Sequence, residues 1–462
     1  MAEKKTKNDF SQGSVPRLIW RLAVPMIVAQ VVNALYSIVD RVYIGHMAGV
    51  GQLALTGIGL CFPITMTVAA FSALIGYGGA PLSSILRGRK DEEGAERVLG
   101  NSVSALCVLG ILIPLVCFFL RRPVLYLFGA SDATFPYADH YITIYLTGSL
   151  PVMLTLGLNA FINAQGFTRD GMVTVGIGAV LNLALDPLFI FAFHMGIAGA
   201  AVATVISQAV SCLWVLRFLL GKKNLIRLHR ECLRPDWPLL GKICALGMSS
   251  FIMQITESAI SAVFNANLAK FGGDIYVTTM TVGTSINQIY FMVIQGFGQG
   301  AQPVTGYNYG AGRYDRVRQG FRFLAVVCLI YATVFWGLLQ LFMPQIIGLF
   351  NSNAALLETA VPMLRIYFLL TFLFALQNAS QSTFVALGEA KKATFFALFR
   401  KVLLLIPLII ALPRLGFGVT GIFAAEPIAD TVSAVTCFMT FLLTSYRGLK
   451  QKELAQQSLQ RE

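Results

Sequence analysis

Long stretches without a charged residue constrain this chain more than any other feature. Residues 98–120, 323–357 and 366–388 contain no Asp, Glu, Lys or Arg. A helix that crosses a bilayer needs about 20 consecutive apolar residues, whereas barrel strands alternate over roughly 10 residues, which these stretches do not. Charged residues make up only 12 % of the chain, about half the fraction typical of soluble domains. The pattern predicts a helical membrane protein and excludes a soluble enzyme, a nucleic-acid-binding protein and a disordered scaffold.

The apolar stretches divide into twelve segments that are long enough to cross a bilayer. We therefore predict an all-α polytopic membrane protein with twelve transmembrane helices, near 18–44, 51–80, 97–120, 136–167, 171–193, 197–220, 240–270, 275–305, 319–347, 358–388, 393–412 and 418–446. The longest polar stretch separates two groups of six. This predicts an N-terminal six-helix bundle with a short cytoplasmic tail, a cytoplasmic linker loop, a C-terminal six-helix bundle and a cytoplasmic tail, at 1–220, 221–239, 240–446 and 447–462.

Basic residues are distributed unevenly among the predicted loops. The two termini and the even-numbered loops carry most of them, for example Arg87, Arg89 and Lys90 in the second loop, whereas the odd-numbered loops carry few. Cytoplasmic loops of membrane proteins are enriched in Lys and Arg. We therefore expect a multi-pass protein of the plasma membrane with both termini in the cytoplasm. The formal net charge of +13 reflects this topology, and we expect no nucleic-acid partner.

The two halves of the chain contain an internal repeat. Three loop-anchored patches match at a nearly constant offset of 222 residues, and they align the glycine pairs 88 and 310, 166 and 388, and 199 and 421. An even number of helices in each half gives both halves the same orientation. Parallel repeats of this kind, related by a pseudo-two-fold axis along the membrane normal, are a transporter architecture.

Several segments resemble the multidrug and toxic compound extrusion (MATE) family. QVVNALYSIVDRVYIG (30–45), GIGLCFP (57–63) and NLALDPLFIF (182–191) are similar to its first, second and fifth helices. GFGQGAQPVTGYNYGAGRYDRVRQ (296–319) and GIFAAEPIAD (421–430) resemble its MepA-like branch. The resemblance covers about 15–445. It implies two six-helix bundles, a central cavity open alternately to each side, and export of organic compounds driven by entry of H⁺ or Na⁺.

Polar residues of the first predicted helix share one face. Gln30, Asn33, Ser37 and Asp40 are spaced by three, four and three residues, so at 100° per residue they form a single stripe. Asp40 follows Trp20 by 20 residues, which places it about 30 Å along the helix, towards the outer end. Two interpretations stay open: Asp40 faces a cavity, or it is interfacial and pairs with Arg41.

A second polar layer is predicted around Asp186, about 22 Å from the inner end of its helix. Asn182, Thr204 and Asn159 fall at similar heights, so four polar groups on three helices are expected to meet. Charges at this depth are costly and usually face a cavity or a partner. The alternative is a hydrogen-bond network for helix packing, beside the break at Pro187.

The family resemblance assigns these residues to an ion-coupling site of the N-terminal bundle. The matching positions are Asp40, Asn159, Asn182, Asp186 and Thr204, with Tyr141 matching by position. Two carboxyl groups in a low-dielectric site can share one proton near neutral pH, and their oxygens also suit Na⁺. We expect H⁺ or Na⁺ as the coupling ion, with any Na⁺ at Asp40 and Asp186, and no other cofactor or metal. A cationic substrate would compete with either ion.

The C-terminal half has its own acidic residues. Glu257 can attract a cationic substrate or pair with Arg400 or Lys401. Glu426 and Asp430, one turn apart, form a secondary acidic site, and for Glu426 a structural role is the alternative. Some branches of the family bind Na⁺ with a seventh-helix glutamate and a tenth-helix aspartate. The tenth span here has no carboxylate and only three amides, at Gln377, Asn378 and Gln381. We therefore do not expect a complete Na⁺ site of that kind.

Polar, aromatic and methionine side chains of several helices are candidate substrate contacts. Methionine is included because its flexible side chain adapts to varied shapes. They are Gln30, Asn33, Tyr36, Ser37, Met66, Tyr141, Met253, Gln254, Glu257, Met280, Asn287, Tyr290 and Gln381.

The leading functional prediction is a secondary antiporter that acts as a monomer in the lipid bilayer and exports lipophilic, often cationic, small organic molecules. The sequence contains no Walker motif, so ATP is not the direct energy source, and no catalytic triad or metal pattern supports an enzyme. A flippase for a lipid-linked saccharide, or an exporter of one natural product, stays open. A channel or receptor would need a continuous pore stripe or a sensing module, and neither is present.

Overall fold

The computed structural model describes residues 9–47, 50–350 and 354–459. Over these ranges the chain is helical and contains no β-strand. The first half contains seven α-helices, α1 to α7: Val15–Gly45, Gly51–Gly88, Glu92–Leu127, Phe135–Thr147, Ser149–Ala164, Thr168–Pro187 and Ile197–Leu220. A π-helical turn, Leu188–Ala192, continues α6, and a 3₁₀ turn, Arg230–Leu233, lies in the polar segment that follows.

The second half contains nine α-helices, α8 to α16: Trp237–Phe271, Asp274–Gly310, Tyr314–Phe350, Ala354–Tyr367, Phe374–Ala386, Ala390–Leu398, Ile406–Leu412, Gly418–Thr440 and Arg447–Leu459. Several are joined by short helical segments of other types. These are the 3₁₀ turn Thr371–Leu373 before α12 and the π-helical segments Phe399–Leu405, Pro413–Phe417 and Phe441–Tyr446.

The predicted all-α multi-pass fold is confirmed. Nine stretches of the described chain are long and apolar enough to cross a membrane, and α4 with α5, bent by 60°, makes a tenth. The last of the nine, Ala390–Ser458, contains two of the predicted spans. α9 is 37 residues long but falls outside the nine, since amide and hydroxyl side chains lower its hydropathy. Each of the twelve predicted spans therefore lies on helix.

Contacts divide the described chain into two units. Unit 1 holds Asp9 and Val24–Ile255, and unit 2 holds Phe10–Ala23 and the chain from Thr256 onward. One division follows Asp9, the other two fall inside α1 and α8, and none falls in the polar segment 221–239.

Buried amides hold that polar segment against unit 1. The Asn101 side chain donates to the carbonyl oxygen of Cys232 (3.3 Å) and accepts from the backbone N–H of Asp236 (2.7 Å). Gln165 Oε1 accepts from the backbone N–H groups of residues 225 and 226, at 2.7 and 3.1 Å. Because an unpaired buried amide is costly, these bonds fix the path of the segment. These bonds therefore hold the predicted linker loop to unit 1.

Close helix packing in unit 1 depends on glycine. A Cβ at Gly76 of α2 would lie 2.7 Å from the carbonyl oxygen of Gly157 on α5. A Cβ at Gly247 of α8 would overlap the carbonyl oxygen of Leu74, again on α2. Small residues allow this close approach between membrane helices. Helices in a membrane associate through van der Waals packing, because the hydrophobic effect that drives association in water is absent there.

Candidate functional site

Three polar side chains of α6 and α7 form a hydrogen-bonded group in unit 1. Asn182 Nδ2 donates to Asp186 Oδ1 (3.2 Å) and to Thr204 Oγ1 (3.3 Å). The Thr204 hydroxyl in turn donates to the carbonyl oxygen of Ala200, 3.0 Å away. Asn182 and Asp186 are one helical turn apart and therefore share a face. Asp186 is only 1 % exposed, immediately before Pro187 and the π-helical turn.

Asp40 of α1 completes this group. Its carboxyl group lies within hydrogen-bonding reach of the Asp186 carboxyl group. Asp40 Oδ1 and Asp186 Oδ2 are both buried, and no donor from the described part of the chain reaches either oxygen. Two ionised carboxylates in contact repel each other, so the pair needs a proton or a cation between them. The Arg41 side chain is exposed, and Asp40 faces Asp186.

Tyrosines of α1 and α4 border the carboxyl pair. Tyr36 and Tyr141 both lie within electrostatic range of Asp40. Tyr141 is buried and its ring stacks on that of Tyr145, with centroids 6.3 Å apart. Ser37 hydrogen-bonds with Tyr36, so it belongs to the same neighbourhood. The structure thus brings Tyr36, Ser37 and Tyr141, three predicted substrate contacts, next to the predicted ion-coupling pair.

Asn159 does not join this group, and the expectation that it shares the layer of Asn182 is wrong. Its Nδ2 donates to the carbonyl oxygen of Gly171 (3.3 Å), near the start of α6. Gly171 precedes Asn182 by eleven residues, which is about 16 Å along a helix. The prediction treated 136–167 as one straight helix. The 60° bend between α4 and α5 makes heights counted along that span unreliable.

Five charged residues form a second polar group, which we call the unit 2 charge network: Glu257, Arg400, Lys401, Glu426 and Asp430. Arg400 Nε donates to Asp430 Oδ1 (2.6 Å) and its Nη2 donates to Glu426 Oε1 (2.9 Å). Lys401 Nζ forms an ion pair with Glu257 Oε2. Arg400 and Lys401 are consecutive residues of the π-helical segment between α13 and α14, and both are buried.

Aromatic residues surround the Arg400 guanidinium group. It lies 4.5 Å from the ring centroid of Phe374 and 5.9 Å from that of Phe291. Cation–π contacts of this kind stabilise a desolvated cation. Tyr367 lies within electrostatic range of Glu426, Asp430, Glu257 and Arg400. The ion pair between Lys401 and Glu257 is one of the pairings that sequence analysis left open for Glu257. The ion pairs of Arg400 with Glu426 and Asp430 fit the structural alternative for Glu426.

Three predicted substrate contacts pack inside unit 2. Met280 is 3 % exposed and Tyr290 is fully buried, with its hydroxyl donating to the carbonyl oxygen of Thr371 (2.8 Å). Gln381 is also buried, and its Nε2 donates to the carbonyl oxygen of Ala393 (3.2 Å). Burial leaves little of these side chains for a substrate to contact.

The other predicted contacts keep accessible surface. Asn33 and Glu257 are exposed. The half-buried ones are Gln30, Tyr36, Ser37, Met66, Met253, Gln254 and Asn287.

The family model described as MatE matches residues 25–188 and 249–410. The chain belongs to the MatE family. The family resemblance predicted from the sequence is thereby confirmed. The two matched blocks begin 224 residues apart, close to the 222-residue offset of the internal repeat, so each block corresponds to one half of this MatE chain.

Curated relatives and solved structures agree with this assignment. "Multidrug export protein MepA" of Staphylococcus saprophyticus is 26 % identical over 448 residues, which covers 96 % of this chain and 98 % of the relative. The protein of the same name from Staphylococcus haemolyticus is 24 % identical and covers 95 % of each chain. The crystal structure of MATE in complex with MaD3S has a TM-score of 0.88 at 23 % identity, covering 96 % of this chain and 98 % of that one. An outward-facing MATE family transporter also has a TM-score of 0.88 at 23 % identity, with 95 % and 97 % covered.

Proposed function

We propose that this protein is a secondary antiporter that exports lipophilic, often cationic, organic compounds in exchange for H⁺ or Na⁺. The contact between Asp40 and Asp186 carries the proposal, because each carboxyl group has a buried oxygen that no described donor reaches. Such a pair has a place for one positive charge. The name of the MepA relatives, which are multidrug export proteins, supports export as the direction of transport.

The chemistry around the pair favours H⁺ over Na⁺ as the coupling ion. Asn182 directs its Nδ2 at Asp186 and Thr204, and the Thr204 hydroxyl donates to a backbone carbonyl. The Thr204 hydroxyl is therefore committed to protein partners, and Asn182 Oδ1 is the oxygen that these two residues leave for a metal ion. Na⁺ is a hard cation that prefers several oxygen ligands, whereas a proton needs only two facing carboxyl oxygens.

Exchange follows if the loaded and unloaded pair favour different conformations. A proton on the pair removes its charge, and deprotonation restores a buried charge that must find another partner. Binding of the ion and binding of a cationic substrate then exclude one another, which is the requirement for antiport. Arg400 and Lys401, the buried cations of unit 2, both pair with carboxylates. This disfavours the alternative of a lipid-linked saccharide, whose phosphates need cations.

The test is uptake of a fluorescent organic cation into inside-out proteoliposomes, under an imposed pH gradient and then an imposed Na⁺ gradient. We expect the pH gradient, acid inside, to drive uptake, and Asp186→Asn to reduce that uptake by at least tenfold. Glu93→Gln is the matched control, because that carboxylate is exposed and pairs with Arg97 at the surface. Uptake by Asp186→Asn at the wild-type rate would contradict the role of the pair. Absence of uptake by the wild type under both gradients would contradict export of organic cations.

We further propose that the protein works as a monomer in the plasma membrane with both termini in the cytoplasm. The basic residues of the polar segment 221–239, among them Lys222, Lys223 and Arg227, support this orientation.

A further inference from the structure

One face of α6 is polar along most of its length. Asp186 near its end and Asp170 near its start are sixteen residues apart, which is about 24 Å along a helix. Residues spaced by four lie on the same side of a helix. Those between the two aspartates are Thr174, Gly178 and Asn182, so this face carries no apolar side chain larger than hydrogen.

Polar side chains of α5 and α7 meet this face. The Ser211 hydroxyl of α7 donates to the carbonyl oxygen of Thr174 (3.2 Å), and a Cβ at Gly178 would lie 3.9 Å from Gln208 Nε2. From α5, Asn159 Nδ2 donates to a backbone carbonyl oxygen near the start of α6 (3.3 Å). We call the polar face of α6 and the side chains that meet it the polar strip of unit 1.

Buried oxygens along the polar strip have no hydrogen-bond partner within the described chain. They are Asn159 Oδ1, Asn163 Oδ1, Ser207 Oγ and Gln208 Oε1. A Cβ at Gly171 would lie 3.2 Å from Asn159 Oδ1 and would overlap Asn163 Oδ1, so both oxygens face the first turns of α6. An unpaired buried oxygen is costly, and ordered water is the usual partner of such groups. The strip therefore offers the acceptors that a row of water molecules requires.

The polar strip connects the carboxyl pair with the protein surface. At one end, Asn182 donates to Asp186. At the other end, Asp170 Oδ1 lies 3.7 Å from Lys223 Nζ, and their side chains are 25 % and 67 % exposed. Lys223 belongs to the polar segment 221–239, for which we propose a cytoplasmic location. Water along the strip would therefore link the pair to that side of the membrane.

Comparison of the two halves indicates that the strip is specific to unit 1. At the offset of 222 residues, Thr174 and Asn182 correspond to Phe396 and Leu404. Phe396 is buried, at 4 % exposure. The same helix position is therefore filled by an apolar side chain in unit 2, and packing in this fold does not require polar residues there.

We infer that the polar strip holds a chain of water molecules that carries the coupling proton between Asp186 and the cytoplasm, and that Gln208 positions this water. The proton leaves the carboxylic acid of the pair and joins the adjacent water. Each water passes one of its own protons onward, the last releases one to bulk water, and the pair is left ionised. This inference rests on the proposed function, because it assumes that H⁺ is the coupling ion.

Asn182 controls entry to the strip in this mechanism. Its Nδ2 donates to both Asp186 and Thr204, and an amide N–H is a donor that does not ionise. Proton transfer therefore requires the Asn182 side chain to turn away from Asp186. The arrangement prevents a continuous proton leak while these bonds are formed.

The test separates polarity from volume at Gln208. Inside-out proteoliposomes are loaded with the pH indicator pyranine at acid pH, rhodamine 6G is added outside, and the rate of proton exit is followed. Gln208→Met keeps the length of the side chain but removes its oxygen, and should slow proton exit roughly tenfold because the water there loses a partner. Gln208→Ser keeps an oxygen and leaves room for water, so its rate should stay within about threefold of the wild type.

An isotope measurement identifies the step that is affected. Replacing H₂O by D₂O should slow proton exit by a larger factor in Gln208→Met than in the wild type, because proton transfer then limits the rate. A residue that only fills space would give the reverse order of variants, since serine creates a cavity and methionine does not.

The control is Val210→Met, which introduces the same side chain on the opposite side of α7, where Val210 is 37 % exposed. It should match the wild type. If Gln208→Met does not fold, Asn163→Leu and Asn163→Ser make the same comparison. Proton exit in Gln208→Met within about twofold of the wild type, or slower exit in Gln208→Ser than in Gln208→Met, would overturn the inference while leaving the proposed function intact. A wild type that releases no protons when rhodamine 6G is added would count against both.

Discussion

Asp40 and Asp186 act as one unit if a single proton occupies them. Each residue alone could hold a charge, but their contact and the absence of a donor at one oxygen of each, within the described chain, make the pair the titrating group. We expect Asp40→Asn and Asp186→Asn each to reduce gradient-driven uptake by at least tenfold. The double variant should be no slower than the slower single one, because neither residue couples an ion without the other.

The control is a second double-mutant cycle, which combines Asp186→Asn with Glu93→Gln, a change at an exposed carboxylate. The effects on the logarithm of the uptake rate should be additive in that cycle, since the two groups share no partner. Additive losses in the Asp40 and Asp186 cycle would mean that each carboxylate binds its own ion.

Sequence analysis predicted the positions of both Asp40 and Asp186 from helical periodicity and depth. The spacing of the α1 stripe placed Asp40, and depth along the fifth predicted span placed Asp186 and Asn182. Their hydrogen bonds to each other and to Thr204 follow from helical periodicity together with packing. Asn159 was misplaced because a bend between helices changes depth without leaving a signal in composition. The partners of Glu257 and Glu426 could be named only as alternatives, since pairing across helices depends on packing.

At the scale of helices, apolar run length predicted where helices lie, but not where they break. The turn Thr371–Leu373 and the π-helical segments at 188–192 and 399–405 interrupt spans that read as continuous in the sequence. Two of these interruptions lie beside the polar groups described above, after Asp186 and at Arg400. Irregular helical turns frequently occur at functional sites because they redirect side chains. The length of an apolar run is almost unchanged by one inserted residue, so run length could not reveal them.

The contact between α2 and α8 gives a prediction about helix packing. A Cβ at Gly247 would overlap the Leu74 carbonyl oxygen, whereas a Cβ at Gly241, on the same helix, would meet no atom within 4 Å. We expect Gly247→Ala to destabilise the protein by about 1–3 kcal/mol through overpacking. Gly241→Ala should be neutral or stabilising by up to about 1 kcal/mol, because alanine is the better helix former.

Thermal unfolding of both variants in detergent would measure this difference. A Tm for Gly247→Ala equal to that of Gly241→Ala would mean that α2 and α8 do not approach as closely as the structure shows.

At the scale of the whole molecule, the two halves share a repeat but differ in chemistry. Unit 1 holds a carboxyl pair contributed by α1 and α6, and unit 2 holds a network in which three carboxylates pair with Arg400 and Lys401. The residues that correspond to Asn182 and Asp186 at the 222-residue offset are Leu404 and Leu408. The repeat therefore preserves helix packing while each half carries a different charge arrangement.

The orientation of the molecule can be tested through Cys232, which lies in the basic polar segment of unit 1. A membrane-impermeant maleimide should label it in inside-out vesicles and not in intact cells, if that segment is cytoplasmic. Ala133→Cys, an exposed position between α3 and α4, should show the opposite pattern, and Cys232→Ser should remove the vesicle signal.

Burial and the nearby Glu96 raise the pKa of the Cys232 thiol. The thiolate fraction is therefore low at neutral pH, and labelling should accelerate as the pH rises. Labelling of Cys232 in intact cells would reverse the proposed topology, because both termini lie on the same side as this segment when each half has an even number of spans.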